Sequence, residues 1–206
     1  VDHILAGSSN TKEIWLDVYQ ASFKDDALES SADLIQNIGF VEAPFEIARE
    51  NKDFRMVNLI LKRYFCQNGD VPLAHASYKE NGYVAVDQTL SDELKNKLKN
   101  FHPYISSDFQ VGEKSLRAFE SILKICAEHH VTCRVIVSPV SDFGSQLELD
   151  RMLQVITPVL KSQNVTLVNL SKVPGIETTL HFYDEKHLNV QGVKIFNESL
   201  LGKLSK

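Results

Sequence analysis

A chain of 206 residues, 43% of them hydrophobic, has the length and apolar content for one sizeable core that needs neither disulfides nor a structural metal. Its net charge of −5 is spread along the sequence with no Lys/Arg-rich arm, which argues against a nucleic-acid partner. No apolar run approaches the roughly 20 residues that span a bilayer, no basic-plus-apolar leader opens the chain, and three cysteines cannot make a complete disulfide framework.

In chain order, the first apolar run is Ile4-Leu5-Ala6, read as a strand that ends in Gly7-Ser8-Ser9-Asn10-Thr11. The chain begins almost inside that strand, so the expectation is that residues natively upstream are not represented. Trp15 to Tyr19 and Met56 to Phe65 read as helical. Ala43-Pro44, Asn68-Gly69-Asp70, Asn81-Gly82 and His102-Pro103 punctuate the stretch that follows. Residues from about 40 to 112 therefore read as an irregular helical insertion or lid within a single domain, 1–206.

The C-terminal half is more regular. Leu116, Phe119, Ile122, Leu123 and Cys126 recur at helical spacing and predict a helix over about 113–129. His129 and His130 close it, where cations favour the helix dipole. The β-branched run Val131–Val137 predicts a strand that stops at Ser138-Pro139. A second helical pattern runs through Leu149, Met152, Leu153, Ile156, Val159 and Leu160, with Pro158 as a local irregularity. Val165–Leu170 predicts another strand, closed by a Pro174-Gly175 turn, and a last helix spans about 190–204. Cys126 and Cys133 read as small core residues, with a bridge between them as the extracytoplasmic alternative. No Cys/His spacing resembles a zinc site.

Strands alternating with helices of this length imply βαβ units. The fold class is α/β: a three-layer α/β/α sandwich with a mainly parallel, flavodoxin-like sheet. In such sheets ligands collect at the carboxyl ends of the strands. Three loops are therefore candidates: Gly7–Thr11 after the first strand, Ser138–Gly144 after the strand at 131–137, and Thr178–Asn189 before the last helix.

Two of these loops carry residues fit for acyl chemistry. Ser9, behind a glycine and a buried strand, can present its hydroxyl on a tight strand-to-helix turn, with backbone N–H groups nearby for an oxyanion. The same Gly-Ser-Ser-Asn-Thr is also ordinary turn and N-cap material, and Ser8 is an alternative hydroxyl. Asp184 and His187, three residues apart before the last helix, can form the orienting acid and general base of a hydrolase. Read plainly, they are a cap and a surface histidine. Asn189 is expected to cap the last helix, and Glu185 and Lys186 to be solvated. Ser141 and Asp142 either line a cleft or form an N-cap pair.

The string Asp184-x-x-His187-Leu188-Asn189-x-x-Gly192, followed by an amphipathic helix, resembles the last block of SGNH (GDSL-like) hydrolases. The likeness is greatest to the branch with cell-envelope O-acetyltransferases and related saccharide-modifying proteins. It covers residues 113–206 and, through Gly7-Ser8-Ser9, residues 2–11. The resemblance implies a Ser9–His187–Asp184 triad, with Asn10, Gly39 (in Asn37-Ile38-Gly39) and Ser141 as oxyanion or substrate candidates. It implies an acylated small molecule or saccharide as substrate, with no metal or organic cofactor. It also favours an extracytoplasmic place in the cell envelope, with membrane contact only through an upstream anchor.

The chain departs from the family pattern in having no apolar strand ending in Gly-x-Asn between residues 40 and 112. In a second register Val1–Asn10 is that strand, Asn10 stands near the oxyanion, and the nucleophile block is missing from the chain. Two other readings stay open. One is a non-catalytic SGNH-like binding module. The other is a nucleotide binder, which suits the βα pattern but has neither Gly-x-Gly-x-x-Gly nor a Walker lysine.

Overall fold

The structure is a computed structural model that describes residues 10–23, 49, 57, 58, 61, 85–100 and 109–204. The expected strand at 4–6, Gly7 to Ser9, Gly39, most of the helix expected over 56–65, Cys66, His75, His102 and much of the 40–112 insertion lie outside the described residues. The chain divides into two compact units, residues 1–25 with 79–206, and residues 26–78. In the second unit Arg49, Val57, Asn58 and Leu61 are helical. All elements below belong to the first unit.

The first described element corrects the sequence reading. Glu13–Asp17 is a strand, β1, not the start of a helix. Exposure alternates there with period two: Ile14, Leu16 and Val18 pack towards the core while Glu13, Trp15 and Asp17 are more exposed. Pairing with β2, Thr132–Val137, decides the issue. The two strands run parallel, with Ile14 opposite Cys133 and Leu16 opposite Val135. Gln20–Phe23 then makes a 3-10 turn that buries Phe23 edge-on against Phe119, with ring centroids 5.5 Å apart.

The expected βα units follow. Helix α1 is Asp92–Lys99, capped by Ser91, whose hydroxyl accepts from the Leu94 N–H at 3.2 Å. Helix α2 is Glu113–Glu128, and helix α3 is Gln146–Ser162. Strand β3, Thr166–Asn169, pairs parallel with β2, so the described sheet has the order β1-β2-β3. Short helix α4, Thr178–His181, and helix α5, Val190–Leu204, complete the chain. The molecule is a mixed α/β fold with a parallel sheet. Pro158 stays inside α3; it is exposed, as is Gln154, whose carbonyl loses its partner there, so water can serve that group.

Strand alternation sorts the core into two clusters. Cys133, Val135 and Val137 of β2 meet Phe119, Leu123 and Cys126 of α2 and Leu149, Met152, Ile156 and Leu160 of α3. The intervening Ile136 joins Val168, Leu170 and Val173, packed with Leu200 of α5. Each such side chain, fully buried, contributes about 1.5–3 kcal/mol. Cys126 and Cys133 are free, buried thiols in this core, as expected, and not a bridge. Burial, reinforced by Cys126, pushes the Cys133 thiol up to about 12, so it stays protonated.

The two helix-to-strand joints share one device. After α2 the Val131 N–H donates to Cys126 O and the His130 N–H to Ala127 O; after α3 the Val165 N–H donates to Leu160 O and the Asn164 N–H to Lys161 O. Both are Schellman caps, with the left-handed position held by His130 at φ 55° and Asn164 at φ 54°. Asparagine and, less readily, histidine enter that region more easily than most side chains, and glycine enters it without steric cost. Replacing His130 by glycine is expected to raise stability by up to about 1 kcal/mol, read from the urea midpoint, with Asn164→Gly giving less.

A candidate acid–base turn at the carboxyl edge of the sheet

The candidate site is built on residues 182–189. Phe182 and Leu188 form an isolated antiparallel bridge, and the Tyr183 N–H donates to His187 O at 3.0 Å, closing a tight loop between them. Inside it, Asp184 Oδ1 accepts from the N–H groups of Lys186 (2.8 Å) and His187 (2.7 Å). This is an Asx turn, a local geometry to which aspartate is suited because its short side chain reaches the backbone two residues on. With one oxygen so held, Asp184 Oδ2 stands 2.7 Å from His187 Nδ1.

The pair is oriented and open. Tyr183 stacks on the His187 ring with centroids 5.6 Å apart and planes 14° from parallel, which limits rotation of the imidazole. The His187 side chain is 62% exposed and that of Asp184 39%. Burial raises the Asp184 carboxyl, but the His187 ring and the two backbone N–H groups outweigh it and hold the group below the usual carboxylate range. Asp184 is thus ionised at neutral pH. A carboxylate on Nδ1 favours the tautomer with its proton there, leaving Nε2 as the basic nitrogen.

The flanks place this turn. Asn189 is 1% exposed and caps α5: its Oδ1 accepts from the Gly192 N–H at 3.0 Å, and its Nδ2 donates to Leu180 O at 2.8 Å and Gln88 O at 3.2 Å. The Asn189 N–H donates to His181 O, and the Val190 N–H to Val86 O. Gly192 has no room for a side chain, because an added Cβ would run into the His181 carbonyl. His181 Nδ1 accepts from the Glu177 N–H at 2.9 Å, so one of its ring nitrogens is engaged in holding α4.

Strand ends arrive at the same edge. Ser141, on the loop after β2, is 4% exposed and its hydroxyl donates to the Glu185 carbonyl within the turn. Lys97 of α1 pairs with the Glu185 carboxylate at 2.5 Å, and both side chains stay exposed, so Glu185 is solvated as expected while having a distant partner. Asp17, at the end of β1, accepts from the Ser138 hydroxyl at 2.8 Å and the Ser138 N–H at 3.2 Å. Burial pushes its carboxyl up despite those bonds. Beside the turn a cleft of about 470 Å³ is lined by Val140, Asp142, Lys172, Glu177, Thr179 and Phe182, among others.

Of the residues singled out from sequence, the fold brings Asp184, His187 and Ser141 together. Asn10 is not with them: it is an exposed turn residue ahead of β1, and the neighbouring Lys12 carbonyl pairs with Thr132 at the start of β2. At about 3.3 Å per residue along a strand, the start of β1 that follows it is itself about 13 Å from the carboxyl end. Ser9 and Gly39 lie outside the described residues. Arg134 pairs with Glu13 across β1 and β2, and the Arg134 guanidinium holds the Glu13 carboxyl down. Glu185 and Lys97 were missed because they touch only in the folded chain. The Asp17–Ser138 tie was missed with β1 itself.

Among the described residues no three His, Cys, Asp or Glu side chains are grouped to hold a metal ion, and no helix is long and apolar enough to cross a membrane. Compared with family models, with curated proteins and with solved structures, the chain has no significant match.

Two outcomes follow from this geometry. Because the folded Asp184 lies below its unfolded value of about 3.9, its contribution to stability is present above that pH and is lost as pH falls through the folded value. Asp184→Asn, which keeps the Asx-turn acceptor but not the charge, should therefore be less stable than the wild type at neutral pH and lose that deficit progressively as pH falls below about 4, as read by urea titration. Gly192→Ala should destabilise by about 1–3 kcal/mol, since the obstacle is backbone.

Proposed function

We propose that the chain is an SGNH-like serine ester hydrolase or O-acyltransferase, a three-layer α/β/α domain acting on an acyl ester, with a cell-envelope saccharide as the favoured substrate class. The observation that carries the reading is the Asp184–His187 pair. It combines a 2.7 Å carboxylate–imidazole contact, a carboxylate locked by two backbone N–H groups, and an exposed ring. The motif resemblance supplies the class of reaction.

In this mechanism Asp184 keeps the His187 ring in one tautomer and stabilises the imidazolium. His187 Nε2 takes the proton from a serine hydroxyl as its oxygen attacks the ester carbonyl, then returns it to the departing alcohol. Ser9 is the candidate nucleophile. Water as acceptor of the acyl group makes an esterase, and a sugar hydroxyl makes an acyltransferase. The mechanism requires no metal or organic cofactor.

The position of Asn10 ahead of β1 favours a second reading, in which Ser9 does not serve His187. The domain then either works with a nucleophile outside this chain or binds its ligand without catalysis. The two readings differ in one experiment. Under the first, a fluorophosphonate labels Ser9, and His187→Ala lowers kcat/KM towards p-nitrophenyl acetate by about 10²–10⁴-fold. A wild-type protein that takes no label, or a Ser9→Ala variant with full activity, rules it out.

A further inference from the structure

We propose that Ser141 is a positioning residue for His187, acting through the backbone of Glu185; the inference rests on His187 being a general base. The bonds inside the 182–188 turn, from the Tyr183 N–H to His187 O and from two N–H groups to Asp184, set its shape. They do not set where the turn points. Among the described residues, two long-range side-chain contacts reach into its centre, and both end on Glu185: the Ser141 hydroxyl on its carbonyl and the Lys97 ammonium on its carboxylate.

These two anchors are unequal. Lys97 and Glu185 have side chains 56% and 38% exposed, so their attraction is screened by water and salt and constrains little. Ser141 is 4% exposed, and its own loop is fixed on several sides. The Val140 N–H donates to Ser171 O at 3.1 Å, the Gly144 N–H to Ser141 O at 2.9 Å, and the Asp142 N–H to the Thr178 hydroxyl at 2.9 Å. Ser141 therefore carries the position of the β2 carboxyl end to the peptide between Asp184 and Lys186. A general base displaced by about 1 Å can lose on the order of 10²-fold in rate, so a single part-buried bond at this point has leverage.

The test uses the full chain, with kcat and KM towards p-nitrophenyl acetate and with the His187 ring tautomer read from long-range ¹H–¹⁵N spectra of ¹⁵N-histidine-labelled protein near pH 9. The wild-type His187 ring is expected in the Nδ1–H tautomer set by Asp184. Ser141→Ala should keep that tautomer, because the Asp184–His187 contact is local to the turn, yet lower kcat by about tenfold or more with KM nearly constant. Ser141→Thr should restore kcat, and Lys97→Ala should leave it in place. If Ser141→Ala does not fold, Ser141→Cys, a near-isosteric weak donor, carries the same comparison. A Ser141→Ala variant with the wild-type kcat overturns the positioning role, even if the variant melts earlier. A wild-type ring in the Nε2–H tautomer overturns the acid–base reading itself, and the proposal with it.

Discussion

Asn189 has no exposed surface to speak of, and its side-chain amide is fully committed within the fold. One end receives the Gly192 N–H and starts α5; the other donates to the carbonyls of Leu180 and Gln88. One residue thus joins the end of α4, the start of α5 and the segment ahead of α1. An amide left unpaired at that depth would forfeit its hydration without return, so the three elements hold one another in register. His187 sits two residues upstream, and its place on the edge of the sheet is inherited from this knot.

Around that knot the parallel sheet does the rest. Because β1, β2 and β3 run the same way, the loops after all three strands emerge on one side. Asp17 and Ser138 lash the ends of β1 and β2 together, and Ser141 hands that position on to Glu185. The Asp184–His187 pair is local in sequence, built by an Asx turn that needs little help to form. Its chemical use depends on where the turn is aimed, and the aim comes from Ser141, 44 positions from the Glu185 carbonyl it meets.

Much of this was legible in the sequence after residue 113. Helices α2, α3 and α5 and strands β2 and β3 appear within a few residues of the expected bounds, because each has a strong period and a clear stop. The cap at Asn189 and the pairing of Asp184 with His187 were also readable, being contacts over three residues. Strand β1 was not, because Trp15-Leu16-Asp17-Val18-Tyr19 carries apolar residues at helical as well as strand spacing. Its five residues become a strand by hydrogen-bonding to β2, more than a hundred positions on.

By itself, then, the sequence determined the alternation of strands and helices, the two sides of β2 and the internal geometry of the Asp184–His187 turn. Those features arise from periodicity and from side chains that reach only their near neighbours. Tertiary structure alone decided that Glu13–Asp17 extends the sheet, that Asn10 precedes the amino end of a strand, and that Glu185 is held by Ser141 and Lys97. Each of these depends on which distant backbone or side chain is brought alongside, and no local pattern of residues encodes that partner.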